Sequence, residues 1–483
     1  MVWSTSSSGD RLTALGPLGP WSSAPPSSGS IVHVDFASAR QHIVGFGGAF
    51  TESAAFNFHT LGLQQRAEVV QLLFGAASAG GNALSMGRVP INSADFALSD
   101  YSYANVTGDY ALQHFDHALS RDALYVIPFL QAAQAGAGSP LKLFATPWSP
   151  PAWMKTPFGG DIPRMDGSTL PGLVGACNAS WALYFSYWFT GMRAHGLDFW
   201  GYTPQNEPTA INATGVAWDA CGYTAEGYAE FLRSFLLPVM QRDHPALRLL
   251  VFDHNSDHVQ EWADVLYSDT ALSAAITGTA IHWYAGSLAS LNASHNAHPT
   301  KPIFHTEGCL PATGREDWGH AEHYAGQMLG FLQTWASSFN DWNLLLDTGG
   351  GPRHANGGLD APIVVVNASA YYVQPFYYAF GHFSRFLPEG SVVAGALVYP
   401  AGQPAPAPEG AFWYDIFGVS GSPHFGVLAA TMPNGTHVLV AVNTGDTAAA
   451  ATLRVRSSPG AGFVYNGITQ PPHSVRTITW EDM

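Results

Sequence analysis

Two glutamates stand where apolar, strand-like segments of the sequence end. Glu207 follows the run Phe199–Thr203 within Pro204–Pro208, whose prolines stiffen the loop, and Glu307 follows Lys301–Thr306. Hydrolysis of a glycosidic bond needs one protonated carboxyl to assist the leaving oxygen and one ionised carboxylate to attack the anomeric carbon, held about 5–5.5 Å apart in a retaining enzyme. The pair therefore predicts a retaining glycoside hydrolase, although each glutamate alone also suits an exposed turn or a structural ion pair.

Other catalytic motifs are missing or incomplete. Gly45–Gly48 is glycine-rich, but no helix-opening phosphate cradle follows it, and no Gly-x-Ser-x-Gly elbow stands at a strand–helix junction. The 20 histidines show no His-Glu-x-x-His or comparable metal spacing. We therefore expect catalysis without a cofactor or metal ion. His282, at the end of a strand-like run, suits either a ligand contact or a supporting position behind the site.

The two glutamates need a scaffold that brings strand ends together. Eight apolar runs, separated mostly by helix-length segments such as Ala225–Gln241 and Glu322–Ser337, predict a (β/α)8 barrel, because strands buried on both faces read as apolar runs. The runs are Ile43–Phe50, Leu84–Ile91, Leu141–Trp148, Phe199–Thr203, Leu247–Asp253, Thr279–Tyr284, Pro302–Thr306 and Trp342–Leu346. Active sites of such barrels lie at the carboxyl ends of the strands, which places both glutamates on one rim.

A different pattern begins near residue 390. Short strand-like runs with hairpin signals such as Pro433-Asn434-Gly435 predict an antiparallel β-sandwich. The runs are Ser391–Tyr399, Phe425–Met432, His437–Asn443, Ala451–Arg456 and Ser474–Trp480, with Ile31–Phe36 as an N-terminal contributor. We predict three segments: 1–42, strands that join the sandwich; 43–388, the catalytic barrel; and 389–483, the rest of the sandwich.

Net charge and short sequence patterns limit the classes of partner and the cellular location that we expect. The formal net charge of −16 disfavours nucleic acid, and no polybasic patch or transmembrane segment is expected. Six Asn-x-Ser/Thr sites, where chance would give roughly two or three, favour passage through the secretory pathway, although random sites in a cytosolic protein are the alternative. We therefore expect a lysosomal or secreted protein, without a signal-peptide pattern at residue 1. The sites are Asn105, Asn178, Asn212, Asn292, Asn367 and Asn434.

From roughly residue 3 to 480, the chain resembles the lysosomal glucosylceramidases (acid β-glucosidases) of glycoside hydrolase family 30. The motifs that carry the resemblance are individually weak but specific in their order: Gly45–Ala49, Arg88–Pro90, Asp95-Phe96, Pro147–Thr156, Asn206–Pro208, His282–Tyr284, Glu307–Cys309, Asp341–Asn343 and Gly381–Ser384. The resemblance implies that Glu207 is the general acid/base and Glu307 the nucleophile. It also implies a substrate-binding set of Asp95, Trp148, Asn206, Tyr284, Trp342, Asn356, Phe96, His282 and Arg88, in which Tyr284, Phe96 and Arg88 lie either in the pocket or directly behind it.

The resemblance implies that the substrate is glucosylceramide, or a related glycolipid, at a membrane surface. It also implies a lipid-activator protein as a partner. Family 30 also acts on xylan, β-1,6-glucan and aryl or sterol glucosides, and a catalytically silent glycolipid-binding protein is a further alternative. The chain departs from the family at Ala94, where a cysteine is usual, and at Cys177, a candidate partner for Cys221 in a disulfide bond. The loops 157–180 and 285–300 also differ, and they would set aglycone choice.

Overall fold

The N-terminal segment of the chain is built of strands that pair with the far C-terminus. The structure is a computed structural model that describes residues 1–23, 30–137, 140–155, 172–209, 218–400, 424–456 and 462–481. Three strands come first: β1 (Val2–Ser6), β2 (Thr13–Gly16) and β3 (Ser30–His42). Strand β1 pairs antiparallel with the last strand of the chain, Ser474–Trp480, with Val2 opposite Ile478 and Ser6 opposite Ser474.

Eight parallel strands then form the barrel predicted from the apolar runs. They are β4 (Gly45–Ala49), β5 (Met86–Ile91), β6 (Lys142–Pro147), β7 (Gly201–Tyr202), β8 (Arg248–Asn255), β9 (Ile276–His282), β10 (Ile303–Glu307) and β11 (Ser338–Asn343). Their order around the sheet is β10-β9-β8-β7-β6-β5-β4-β11. The two ends of the sheet meet where Ser337 N donates to Ile303 O at 2.7 Å and Asn340 Nδ2 donates to His305 O at 2.9 Å. The fold class is therefore confirmed.

The eighth strand lies earlier in the sequence than its apolar run indicates. The prediction was Trp342–Leu346, but the barrel strand is Ser338–Asn343. Its polar side chains are buried with partners: Asn340 bonds to the neighbouring strand, and Asp341 accepts a hydrogen bond of 2.6 Å from Tyr324. Because this strand buries polar residues that make hydrogen bonds inside the protein, a search for apolar runs places it too late in the sequence.

Helices cover the outside of the barrel. They are α1 (Glu52–Thr60), α2 (Leu63–Phe74), α3 (Val126–Gly136), α4 (Asn178–Ala194), α5 (Ala225–Phe231), α6 (Leu237–Asp243), α7 (Val259–Ser268), α8 (Thr270–Ala275), α9 (Leu288–Ala297), α10 (Trp318–Gln333) and α11 (Pro375–Ser384). A π-helical turn, Leu232–Leu236, joins α5 to α6. In α4 the side chains of Trp181, Phe185, Trp188 and Met192 recur at helical spacing and are fully buried, as a core-facing helix requires. Within the described part of the chain, no helix is long and apolar enough to cross a membrane.

The remaining strands form a small sheet beside the barrel and a large sheet with its own core. The small sheet contains β12 (Leu345–Asp347), β13 (Ile363–Asn367) and β14 (Ala370–Val373). The large one adds β15 (Val392–Pro400), β16 (Phe425–Thr431), β17 (His437–Asn443), β18 (Ala449–Arg456), β19 (Val464–Gln470) and β20 (Ser474–Trp480) to the N-terminal strands, in the order β19-β18-β3-β15-β16-β17-β20-β1-β2.

This nine-stranded sheet is the predicted second unit, built from both ends of the chain. Its pairings among the described strands are antiparallel except for β18 with β3, and Val32, Leu439 and Leu453 belong to a core separate from that of the barrel. His382 in α11 fastens the unit to the barrel through the hydroxyls of Thr5 and Thr477. The segment boundaries at residues 42 and 388 stay predictions. All three cysteines are free thiols, so Cys177 and Cys221 form no disulfide bond in this structure.

Candidate active site

A pocket of about 610 Å³ opens at the carboxyl ends of the barrel strands. Its wall includes eight of the residues singled out from the sequence: Asp95, Trp148, Asn206, Glu207, Tyr284, Glu307, Trp342 and Asn356. It also includes residues that the sequence reading missed, among them Trp218, His254, Asn255, Pro311 and Leu359. The predicted rim loop 285–300 is largely helix α9, and most of the other rim loop, 157–180, lies outside the described residues.

Three residues predicted to bind substrate lie beneath the wall instead. Arg88, Phe96 and His282 are fully buried, and none of them lines the pocket. Phe96 packs edge-on against Trp342 with ring centroids 6.3 Å apart. Their contact with substrate stays a prediction, and the structure shows them packed behind the residues that form the wall. Arg88 and His282 belong to barrel strands, along which alternate side chains end at different depths below the rim.

Glu207 is held in an unusual backbone conformation. Its φ of 44° is left-handed, a region that non-glycine residues enter at a cost of about 1–3 kcal/mol. Its N–H donates to Asp253 O at 3.0 Å, and the neighbouring Asn206 N–H donates to Pro147 O at 2.8 Å. Gln205 Nε2 adds a bond of 2.7 Å to Trp148 O. These bonds fix the loop after β7 to the ends of β6 and β8, so that the Glu207 carboxyl is aimed into the pocket.

The carboxyls of Glu207 and Glu307 face the same imidazole. His282 Nδ1 lies 3.2 Å from Glu207 Oε1 and 3.9 Å from Glu307 Oε1, so the two oxygens are no further apart than the sum of these distances. At these two distances the oxygens lie about 5–5.5 Å apart, as in retaining glycosidases, when the angle at Nδ1 is roughly 90–100°. The smallest separation of inverting enzymes, about 6.5 Å, needs an angle of about 130° or more, so the geometry is compatible with the retaining class.

A buried ion network lies under the two glutamates. The Arg88 guanidinium donates from Nη2 to Asp253 Oδ2 and to Asn206 Oδ1, each at 2.8 Å, and from Nη1 to Glu307 Oε2. The same guanidinium lies over the Trp148 ring, 4.6 Å from its centroid. One cation thereby positions both the loop that carries Glu207 and the Glu307 carboxylate.

Asp253 is the anion of this network and was not identified from the sequence. It ends the apolar run of β8, accepts hydrogen bonds of 2.7 Å from Thr203 Oγ1 and Thr306 Oγ1, and lies 3.2 Å from His282 Nε2. Burial alone would raise the pKa of Asp253, but Arg88 and His282 outweigh burial and hold that pKa well below its ordinary value. Asp253 is therefore ionised throughout the pH range in which proteins work.

The protonation states of the glutamates follow from their neighbours. Burial would lower the pKa of His282, yet Glu307, Asp253 and Glu207 outweigh it and raise that pKa to about 9. Burial raises the pKa of Glu207, but the hydrogen bond and positive charge of His282 lower it by more. Glu307 accepts hydrogen bonds from Arg88 and, at 2.9 Å, from Tyr284 Oη, and both donors stabilise the carboxylate anion. The Glu207–His282 pair therefore shares one proton beside the Glu307 carboxyl.

The side of the pocket away from this pair has the groups that a sugar needs. Asp95 Oδ2 accepts a bond of 2.8 Å from Asn356 Nδ2, which leaves acceptors and a donor for hydroxyl groups. Burial, the largest effect, together with nearby carboxylates raises the pKa of Asp95 to about 7. The rings of Trp148 and Trp342 stack with centroids 5.0 Å apart and offer flat apolar surfaces. These groups form a polar and aromatic end to the pocket.

Asp341, next to Trp342, makes stability depend on pH. Burial raises its pKa to about 8, so the native state binds a proton that the unfolded state releases near pH 4. The stabilisation is complete below the unfolded pKa and is lost as pH rises through about 8, at up to about 1.4 kcal/mol per pH unit. In chemical denaturation, Asp341→Asn should therefore gain about 2–3 kcal/mol relative to the wild type between pH 5 and pH 7. A difference that does not change with pH would show that Asp341 is ionised in the native state.

Comparison with known proteins places the chain in a family. Residues 43–387 match the glycosyl hydrolase family 30 TIM-barrel domain. The chain is 33% identical over 466 residues to "Putative glucosylceramidase 3" of Caenorhabditis elegans (93% of this chain, 82% of that one). It is 30% identical over 453 residues to the "Lysosomal acid glucosylceramidase" of Mus musculus (91% and 81%), and 26% identical over 464 residues to "Endo-1,6-beta-D-glucanase BGN16.3" of Trichoderma harzianum (94% and 87%).

A solved structure agrees with these matches over the full length. The crystal structure of SrfJ from Salmonella typhimurium superposes with a TM-score of 0.85 at 28% identity, and the match covers 100% of this chain and 99% of that one. The family match spans the whole barrel, including every strand that carries a wall residue of the pocket. The chain therefore belongs to glycosyl hydrolase family 30 and is a glycoside hydrolase.

Proposed function

We propose that the chain is a retaining β-glucosidase that hydrolyses glucosylceramide to glucose and ceramide, with Glu307 as nucleophile and Glu207 as general acid/base. One observation carries the proposal: the two carboxyls face a single imidazole nitrogen in a pocket whose far end is polar and aromatic. The names of the relatives from worm and mouse support glucosylceramide as the substrate. The reaction needs no cofactor, because both of its steps use carboxyl groups.

In the first step, Glu307 attacks the anomeric carbon while Glu207 gives a proton to the ceramide oxygen. The bond between the anomeric carbon and that oxygen breaks, and a glucosyl ester forms on Glu307. Esterification neutralises Glu307, the anion that does most to raise the pKa of His282. The Glu207–His282 pair has then given the proton it shared to ceramide and can accept one in the next step.

In the second step, Glu207 acts as the base. It takes a proton from water, which attacks the anomeric carbon from the side that ceramide left and releases glucose with its original configuration. Asp95, Asn356 and Asn206 are placed to bond the sugar hydroxyls, and Trp148 and Trp342 to pack against the apolar faces of the ring. All of these residues except Asn356 are buried, which makes this part of the pocket suited to a single terminal sugar.

The mouth of the pocket supports a lipid aglycone. Trp218 and Leu359, which are half-buried, and Pro311, which is exposed, line the pocket together with Tyr284, which is 42% exposed. This more exposed part of the wall is taken as the mouth. An apolar mouth would contact the ceramide chains as they leave the membrane, and a lipid-activator protein would assist that transfer. Of the predicted glycosylation sites, Asn105, Asn367 and Asn434 are exposed, which supports a lysosomal or secreted location. Asn212 lies outside the described residues.

The proposal is tested by covalent labelling. A cyclophellitol-type epoxide with glucose configuration should esterify Glu307, and peptide mapping by mass spectrometry would identify the modified residue. In parallel, hydrolysis of glucosylceramide, aryl β-glucosides, β-1,6-glucan and xylan should be measured. Labelling of another residue would contradict the assignment of the nucleophile, and binding of a glucose-type iminosugar without any turnover would favour a silent binding protein.

The second candidate substrate is β-1,6-glucan, which the relative from Trichoderma favours by its name. An endo-acting enzyme must bind several sugars on both sides of the cleaved bond, whereas a glucosidase needs one sugar at a closed end. Greater kcat/KM on the glucan than on glucosylceramide would replace the first candidate by the second without changing the roles of Glu207 and Glu307.

Replacement of Trp218 should separate the lipid from the sugar. Trp218→Ala removes apolar surface from the mouth, and full burial of such a side chain against a ligand is worth about 1.5–3 kcal/mol, or roughly 10–100-fold. We expect kcat/KM for glucosylceramide to fall by about tenfold or more, while that for an aryl β-glucoside changes less than about threefold. Trp148→Ala is the matched control, because loss of a tryptophan at the sugar end should impair both substrates. Equal effects of Trp218→Ala on both substrates would contradict a lipid-binding mouth.

A further inference from the structure

A second histidine stands beside the Glu207–His282 pair. His254, near the end of β8, lines the pocket, and its side chain is only 9% exposed. Its Nδ1 has no hydrogen-bond partner among the described residues; Glu207 Oε1 lies 3.6 Å away, beyond hydrogen-bond reach. The reaction described above uses Glu207 and His282 but gives His254 no task. A buried nitrogen without a partner, aimed at a carboxylate, calls for a ligand.

We propose that Glu207, His254 and His282 form a binding site for a zinc-type dication, and that occupation of this site blocks hydrolysis. One ligand atom from each residue lies within 4.8 Å of the other two. With metal–ligand bonds of about 2.0–2.1 Å, the edge of a tetrahedral site is about 3.3 Å long. Glu207 Oε1 lies 3.2 Å from His282 Nδ1 and 3.6 Å from His254 Nδ1, so two edges already have nearly this length.

The support behind His282 is of the kind that metal-binding histidines have. Its Nε2 lies 3.2 Å from Asp253 Oδ1, a carboxylate that is itself bonded to Arg88, Thr203 and Thr306. Donation of Nε2–H to a carboxylate orients the imidazole and increases the basicity of the opposite nitrogen, which here faces Glu207. A metal would displace the proton that Glu207 and His282 share. The pocket leaves the fourth position open to water or an inhibitor.

The ligand set selects the class of metal. Two imidazoles and one carboxylate favour Zn²⁺, Cu²⁺ or Ni²⁺ over Mg²⁺ and Ca²⁺, which take mostly oxygen ligands. No short sequence motif reveals this set, because the ligands come from the loop after β7 and from the ends of β8 and β9. The absence of a His-Glu-x-x-His motif therefore excludes a metal site of that kind on a single helix, but not a site assembled from one loop and two strand ends.

A second cluster provides the control. His354 lies 2.9 Å from Asp100 Oδ1 and 3.6 Å from Asp219 Oδ2, and these carboxylates raise the pKa of His354 to about 10 against the effect of burial. A charged imidazole between two carboxylates is already neutralised, so we expect this cluster to hold the loop over Asp95 and not a metal. His354 also anchors that loop through its N–H, which lies 3.2 Å from Asp95 O.

Calorimetric titration with ZnSO₄ tests the site on the whole chain. We expect one zinc ion per chain, no comparable affinity for Mg²⁺, a Kd raised at least about tenfold by His254→Asn, and an unchanged Kd in His354→Asn. His254→Ala repeats the test if the first variant does not fold. Unchanged zinc affinity in His254→Asn, loss of affinity in His354→Asn, or no zinc binding by the wild type would each overturn the proposal.

The inhibitory consequence rests on the proposed function, whereas the site itself does not. Zinc should inhibit hydrolysis of an aryl β-glucoside with the Kd measured by calorimetry, and the inhibition should weaken to the same extent in His254→Asn. Zinc bound at this site in a protein that cleaves no β-glucoside would refute the proposed substrate and leave the site standing. Turnover that continues unchanged with the site saturated would overturn the inhibition.

Discussion

Replacement of Glu307 by glutamine is expected to lower kcat/KM for an aryl β-glucoside by at least about 10⁴-fold, or roughly 5.5 kcal/mol of transition-state stabilisation. The amide keeps the size of the side chain and can still accept the hydrogen bond of 2.9 Å from Tyr284, but it has no charge with which to attack carbon. The variant also leaves the Arg88 guanidinium with one anionic partner, Asp253, so it should still fold. Initial rates and thermal unfolding of the same preparation are the measurements.

The variant Glu207→Gln distinguishes the two carboxyls. Without a general acid, substrates with a poor leaving group such as ceramide should be cleaved very slowly, while dinitrophenyl glucoside, whose leaving group needs no proton, should still form the ester on Glu307. Added azide should then give a β-glucosyl azide and restore turnover. In Glu307→Ala, azide that attacks in place of the carboxylate should give the α-glucosyl azide.

The stereochemistry of the azide product is therefore decisive. Exchange of the two outcomes between the variants would reverse the roles of Glu207 and Glu307. Glu261→Gln, on the exposed face of α7, is the control and should retain wild-type rates. A fall of less than about a hundredfold in Glu307→Gln would exclude this residue as the nucleophile.

The sequence predicts the scaffold well because burial on both faces leaves a direct trace in composition. All eight barrel strands overlap an apolar run, the eighth only at Trp342 and Asn343, and both glutamates were found because they follow such runs. The eighth run is displaced because polar Asn340 and Asp341 are satisfied inside the barrel. Strand β19 was missed for a related reason: Asn466 and Gly467 interrupt its alternation, yet the strand pairs fully with β18.

The site was predicted where its residues end a strand and missed where their importance depends on contacts across the barrel. Asp253 was counted as the last residue of an apolar run, and only its contact with Arg88, which comes from strand β5, shows its task. Trp218 reaches the pocket from a loop with no periodic signal. Depth is likewise absent from the sequence, so the sequence does not show that Arg88 and His282 lie fully buried behind the pocket wall.

The largest expected effect on stability is that of removing Arg88. Arg88→Met leaves Asp253 and Glu307 without their cation, and breaking a buried pair in this way typically costs about 3–5 kcal/mol. Arg233 is the matched control because it also contacts two carboxylates, those of Glu230 and Asp269, but is 47% exposed. Arg233→Met should cost less than about 1 kcal/mol. Urea denaturation at pH 7 gives both values.

A double variant tests whether the cost comes from the stranded charge. Asp253→Asn removes the anion that Arg88→Met leaves unpaired, so the pair of substitutions should destabilise the protein by less than the sum of the single changes, with a coupling free energy of about 1–3 kcal/mol. Additive effects would show that the cost of Arg88→Met comes from lost packing against Trp148 and not from an unpaired Asp253 carboxylate. Hydrolysis should stay low in the double variant even where stability recovers, because Glu307 still lacks the guanidinium that orients it. Recovered stability without recovered hydrolysis would show that the network around Arg88 stabilises the fold and, separately, orients Glu307 for the reaction.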